Sequence, residues 1–210
     1  MRFGEIMLKN RALLLLLAAV ISTAVIGIYL FLVSGDKKAV MATTDKYIQA
    51  VMNRDFDAVY DLNAASRKQV AFILKGHGAD KEELLKRAYN EQKALFDSAE
   101  EAFNSKAAWA EKSTLFQGMS YRILNVTMER DIDNPSAFFR KRVNAIVEVE
   151  VEYRKKEESP VYKGRSIRKA VCLIKLIHSK NITKAVRYIA IDDKWLFKGI
   201  TVRDADVVYW

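Results

Sequence analysis

Across 210 residues there is one cysteine, and there are only two prolines, two histidines and eight glycines. Each shortage excludes something. Cys172 alone cannot close an internal disulfide, and in its apolar run a lone thiol reads as a small buried hydrophobe. No cysteine stands beside the N-terminal hydrophobic segment, so that segment reads as a protein anchor and not as a lipoprotein signal. His77 lies between two glycines and His178 ends a strand-like run. Such isolated imidazoles do not offer the convergent ligand set that a metal needs. The glycines form no phosphate-binding loop. Asp131-Ile132-Asp133-Asn134-Pro135 has the acidity of a calcium loop but neither its turn glycine nor its distal glutamate, and reads as a polar turn. No cofactor and no metal are expected.

Charge is absent from one long stretch. Ala12 to Val33 holds no charged residue, and about 20 apolar residues suffice to cross a bilayer. Its Leu, Ile, Val and Phe residues favour insertion by roughly 0.3–0.6 kcal/mol each at a helix centre. The rival is a cleaved signal peptide with Leu13–Ile21 as its apolar core and Ser22-Thr23-Ala24 at the cut. Cleavage there would leave an apolar mature end from Val25 to Val33, which favours the anchor. Arg2, Lys9 and Arg11 on one flank nearly balance Lys37, Lys38 and Lys46 on the other. A short basic tail before a long domain is the signal-anchor arrangement. The N-terminus is therefore expected in the cytoplasm and the domain outside it, in the periplasm if the cell is Gram-negative. Ala19, Thr23 and Gly27 share one helix face, and small residues so spaced let two membrane helices approach closely. They are a candidate dimer face; the alternative is a face turned to lipid. The expected organisation is a tail at 1–11, a transmembrane helix at 12–33, a linker at 34–39 opened by Gly35-Asp36, and a domain at 40–210.

The chain carries a formal charge of +9, most of it after the anchor. A moderately basic domain suits anionic headgroups or an acidic partner. Nucleic acid is disfavoured, because no aromatic–basic recognition motif or helix-turn-helix pattern occurs.

Periodicity divides the domain. Val40, Thr44, Tyr47, Ile48, Val51 and Met52 repeat at helical spacing. Asp55 suits the cap of a short helix carrying Phe56, Val59, Tyr60 and Leu62, and Ser66 with Gln69 suggests a capping box before a third helix that Gly76-His77-Gly78 ends. A fourth is expected from Asp80 to about Lys106 or Lys112, with Leu84, Ala88, Leu95, Ala99 and Phe103 along its apolar stripe. From Gly118 the period becomes two. Tyr121–Thr127 reads as a first strand. Val143, Ala145, Val147, Val149, Val151 and Tyr153 alternate with mainly polar residues, giving one buried and one wet face. Ile167–His178 is apolar on both faces and should be central. Lys184–Ile191 and Trp195–Arg203 read as a hairpin turning at Asp192-Asp193-Lys194. Helices first and antiparallel strands afterwards make an α+β fold with the helices on one sheet face.

The sequence from Thr43 to Leu62, TTDKYIQAVMNRDFDAVYDL, is followed by YRILNV, VNAIVEVEVEY and the last strand DDKWLFKGITV. In this order they resemble the nuclear transport factor 2-like superfamily, especially its bacterial membrane-anchored members, over about Val40–Val202. The resemblance implies a cone-shaped domain with a curved sheet around helices and often an apolar pocket at the open end. Some members catalyse isomerisation of the ketosteroid type; many others only bind protein or dimerise. The long fourth helix departs from the compact members, and fold alone does not give function.

An isomerase-type site needs a carboxylate in an apolar pocket with hydrogen-bond donors beside it. Asp45, Asp57 and Asp61 fall near Tyr47 and Tyr60 but at caps and exposed helix faces. Candidate contact residues are Phe138, Phe139 and Arg140, where adjacent aromatics meet cations, with one phenylalanine in the core as the alternative. The basic stretch Arg154-Lys155-Lys156 to Arg165, Arg168 and Lys169 reads mainly as a solvated connection. Tyr209 and Trp210 either pack back as an added strand or dock into a partner. The expected function is that of a membrane-anchored, non-catalytic protein-binding or assembly module of the cell envelope, with a protein partner or a second copy. A small apolar ligand or lipid in the cone pocket is the alternative, and an isomerase-type enzyme the third.

Overall fold

The computed structural model describes residues 2–76, 80–98, 114–116, 118–130, 142–179 and 194–210. It divides into two units, Met1–Lys38 and Ala39–Trp210. One helix, α1 (Arg2–Met52), enters both. Residues 34–39, expected as a linker, are helical. Gly35 in a helix interior costs only about 1 kcal/mol, and no proline interrupts the backbone there. No helix among the described residues is long and apolar enough to cross a membrane; the side chains of 2–16 and 28–34, which take in both ends of the uncharged run, lie outside the description.

In the second unit, α1 ends in a paired-hydrogen-bond cap. Arg54 N donates to Val51 O and Asp55 N to Ala50 O, with Arg54 at φ 56°, the left-handed residue such a cap requires. Asp55 then opens α2 (Phe56–Leu62), its carboxylate accepting from Ala58 N at 3.1 Å. That cap is where the sequence places it. The next is not. Asn63, not Ser66, starts α3 (Ala64–Lys75), accepting from Ala65 N and Ser66 N. An asparagine one turn earlier starts the helix on the amides of Ala65 and Ser66, so Ser66 falls inside the helix, buried, its hydroxyl without a partner among the described residues. Gly76 caps the end of α3 as expected. Helix α4 (Lys81–Ser98) turns Ala88 and Phe96 to the core while Leu84 is exposed, a correction to the expected stripe. The continuation expected to Lys106 or Lys112 lies outside the described residues.

Among the described residues six antiparallel strands follow: β1 (Met119–Arg130), β2 (Arg142–Tyr153), β3 (Val161–Tyr162), β4 (Arg165–His178), β5 (Trp195–Val202) and β6 (Val208–Tyr209). β4 is central. It pairs with β2 along one side and with β5 and β6 along the other, while β3 folds back on its start. The alternation in β2 is realised: Val143, Ala145, Val147, Val149, Val151 and Tyr153 are buried, with Asn144, Glu148 and Glu150 between them more open. Against this inner face pack Tyr47, Ile48 and Val51 of α1 and Phe56, Val59 and Leu62 of α2. Tyr47 stacks flat on Phe197 of β5, ring centroids 4.0 Å apart. The architecture is thus α+β, helices first and an antiparallel sheet after. Residues 184–191, expected as a strand, lie outside the described residues.

On the outer face, Glu150 joins Arg122 at 3.0 Å and Lys169 at 2.8 Å across three strands. The hydrogen bond from Lys169 holds its carboxyl below the usual range. That stabilisation is complete above the unfolded carboxylate's pKa and is lost as pH falls through the folded value. Val147 is 0% exposed, between Val126 and Ile174. Val147→Asp should therefore cost several kcal/mol through a buried, unpaired charge. Glu150→Gln should cost about 1 kcal/mol or less and flatten the acid limb of the stability profile. Urea titrations across pH check both; equal losses would mean that the strand faces are reversed.

Candidate interaction surface

The turn Lys163-Gly164 reverses the chain in two residues, with φ 50° and 78°. Positive φ at both positions is what a tight hairpin matched to strand twist requires, and glycine supplies the second freely. The reversal pairs Tyr162 with Arg165 and Val161 with Ser166. It also brings Tyr162 and Lys163 to Asp204, which accepts from the phenol and the ammonium at 2.7 Å each. The hydrogen bond from Lys163 lowers the Asp204 carboxyl, and the one to Asp204 raises the Tyr162 phenol.

From the other side, β5 leaves the sheet after Val202. Arg203 N still donates to Val171 O at 2.8 Å, and its guanidinium pairs with Glu148 and Asp206. A 3-10 turn at Asp204–Asp206 then returns the chain to β4, where Tyr209 opposes Ile167 and Val208 opposes Lys169. Trp210 is held by two donors: its amide to Ser166 O at 3.2 Å and its indole N–H to Ile167 O at 3.1 Å. Two arginines of β4 close over the aromatic rings. Arg165 lies 4.4 Å from the Tyr209 centroid and Arg168 lies 5.5 Å from that of Trp210. Neither guanidinium has a carboxylate partner among the described residues. Beside them Val161, Val208 and Trp210 remain 53%, 48% and 45% exposed.

The structure thus joins two segments that the sequence presents separately, the basic connection around 154–169 and the aromatic chain end. Of the residues singled out, Tyr209 and Trp210 meet here. Val161 and Val208 were missed, because it is the pairing of β3 and β6 with β4 that brings each to the start of that strand. Phe138, Phe139 and Arg140 lie outside the described residues, as do His77 and residues 131–135. Ala19, Thr23 and Gly27 lie exposed on α1 in the first unit. There Thr23 donates its hydroxyl to Ala19 O at 2.8 Å, and a side-chain carbon added at Gly27 would meet nothing within 4 Å.

The carboxylates considered for chemistry serve as struts. Asp45 accepts from Tyr121, which Gln49 also contacts at 2.8 Å. Burial and then the Asp45 bond raise the Tyr121 phenol. Asp57 accepts from Tyr89. Asp61 joins Arg67 and, at 2.6 Å, Lys194, tying α2 and α3 to the entry of β5. Burial pushes the Cys172 thiol up to about 12, which keeps it protonated and unreactive. His178 packs edge-on against Trp195. Among the described residues no three metal-ligating side chains converge. Phe72, 75% exposed on α3, is the most exposed aromatic of the described helices.

Comparison with protein-family models, with curated proteins and with solved structures gives no match.

Truncation after Asp206 should lower the melting temperature clearly, because it uncovers Ile167 and removes both arginine–ring contacts. Trp210→Ala, which leaves β6 in place, should cost about 1 kcal/mol. A truncated chain that melts like the full one would show that the chain end contributes nothing to the fold.

Proposed function

We propose that this protein is a membrane-anchored, non-catalytic binding or assembly module of the cell envelope. The observation that carries this reading is the chain-end platform: Trp210 and Val208 stay half exposed although β6 is fixed in the sheet. Ordered aromatic and arginine side chains at a surface are the groups that dominate protein interfaces. The uncharged run 12–33 supports anchoring, with the N-terminus in the cytoplasm and the second unit outside it. Ala19, Thr23 and Gly27 suit a second copy as one such partner. The order of helices and antiparallel strands supports a cone-shaped domain of the nuclear transport factor 2-like kind.

A second reading, a small apolar ligand or lipid held within the domain, has one observation in its favour. The Tyr47 hydroxyl is buried without a hydrogen-bond partner among the described residues, and such a group costs about 1–3 kcal/mol until something pairs with it.

A photo-crosslinking residue at position 210, in intact membranes, should trap a protein adduct or a dimer of this chain. Adducts from position 198 but none from 210 would contradict the platform. Protease added outside the cytoplasmic membrane should degrade the second unit; protection until lysis would reverse the orientation.

A further inference from the structure

Among the described residues β1 is the long open edge of the sheet. It spans 12 residues and pairs with β2 alone. The far edge of β5 is met by Asn63, which bridges to Phe197, and β3 and β6 are two residues each. A long edge of unpaired backbone is a template for another strand. Two observations define this one. The register passes from Ile123 opposite Val149 to Asn125 opposite Glu148, so Leu124 is an extra residue, and it stands 42% exposed. Just beyond it the Val126 N–H donates to the side chain of its own neighbour, Asn125, at 2.9 Å. Backbone groups of alternate residues point to opposite sides of a strand, and an amide capped by its own strand's side chain is one turned to the open edge.

We propose that β1 pairs with β1 of a second copy, antiparallel, about a two-fold axis at Val126. The residues fit this register. With Leu124 set aside, Arg122 and Glu129 each stand three ladder steps from Val126, on the outer face, opposite Glu150 and Asn144. Each Arg122 therefore opposes the Glu129 of the other copy. Glu129 is exposed and has no ion-pair partner among the described residues. Arg122 leaves 71% of its side chain open beside Glu150. Two steps from the axis Ile123 opposes Met128, both half-buried on the inner face. One step away Asn125 opposes Thr127. Each pair thus shares a face, and no like charges meet. At the axis the two Val126 amides exchange the Asn125 side chain for each other's carbonyl. Opposite charges directly across an antiparallel pair stabilise it, and an isologous contact makes the pair twice. That one strand supplies both members of every pair favours a second copy over an unrelated strand. This contact is separate from the chain-end platform and goes beyond the reading above.

The experiment co-expresses two differently tagged full-length chains, Arg122→Cys and Glu129→Cys, and oxidises the intact membranes with copper phenanthroline. A disulfide joining the two tags is expected, because opposed outer residues lie about 4.5 Å apart at Cα. Either variant alone should give none, since like positions lie six steps, roughly 20 Å, apart. The buried Cys172, its thiol pushed up to about 12, does not compete. In sedimentation of the purified full chain, Glu129→Arg should weaken the dimer about tenfold, and adding Arg122→Glu should restore it. Melting by circular dichroism establishes that each variant is folded. Folded cysteine variants that give no mixed disulfide, or one variant that links as readily by itself, overturn the proposal. If a cysteine variant does not fold, the charge reversal decides: equal association by wild type and Glu129→Arg, or no recovery in the double variant, overturns it. A monomeric wild type would mean that the bulge and Asn125 close the edge, and overturns it also. A dimer without the mixed disulfide is joined elsewhere, and the β1 contact falls. Should that contact fall while position 210 still crosslinks to protein, the chain-end reading stands.

Discussion

Nearly every ladder of the sheet runs through β4. β2, β3, β5 and β6 all pair with Arg165–His178, and only β1 reaches it indirectly, through β2. Ile167, Ala170, Cys172, Ile174 and Leu176 are buried along it. Full burial of a large aliphatic side chain is worth about 1.5–3 kcal/mol, so the strand is held by packing as well as by hydrogen bonds on both edges. Its inner face receives α1 and α2, and its first residues carry the platform. The chain-end platform is thus built on a rigid element and not on a loop, and its geometry depends on one strand keeping its register.

That register was only partly legible in the sequence. The valine alternation of β2 and the two-faced apolarity of β4 declare themselves locally, because side chains alternate across a strand and a central strand is buried on both sides. Asp55 and Gly76 announce helix ends through their own chemistry. The failures are instructive. Ser66 looked like a cap because its spacing to Gln69 fits, yet Asn63 starts the helix one turn earlier, on the amides of Ala65 and Ser66. Leu84 looked like core because the helical period includes it, but burial depends on what the helix meets. The chain end was legible as a candidate added strand, but its neighbours were not, because the parts lie about 40 residues apart and meet through β6, a strand of two residues.

The acidic side chains of the helices are likewise placed by nonlocal contacts. Asp45, Asp57 and Asp61 each brace helices against one another or against the sheet, and the buried thiol of Cys172 is held protonated. Arg165 and Arg168, by contrast, are positioned but not neutralised among the described residues.

The central claim is that the chain end is a fixed part of the sheet, and amide hydrogen exchange tests it most directly. The amides of 169–177 should open only with global unfolding. The amide and indole protons of Trp210, donated to Ser166 O and Ile167 O, should be clearly protected. Exchange of residues 207–210 at the rate of a free peptide, with β4 still protected, would contradict the account.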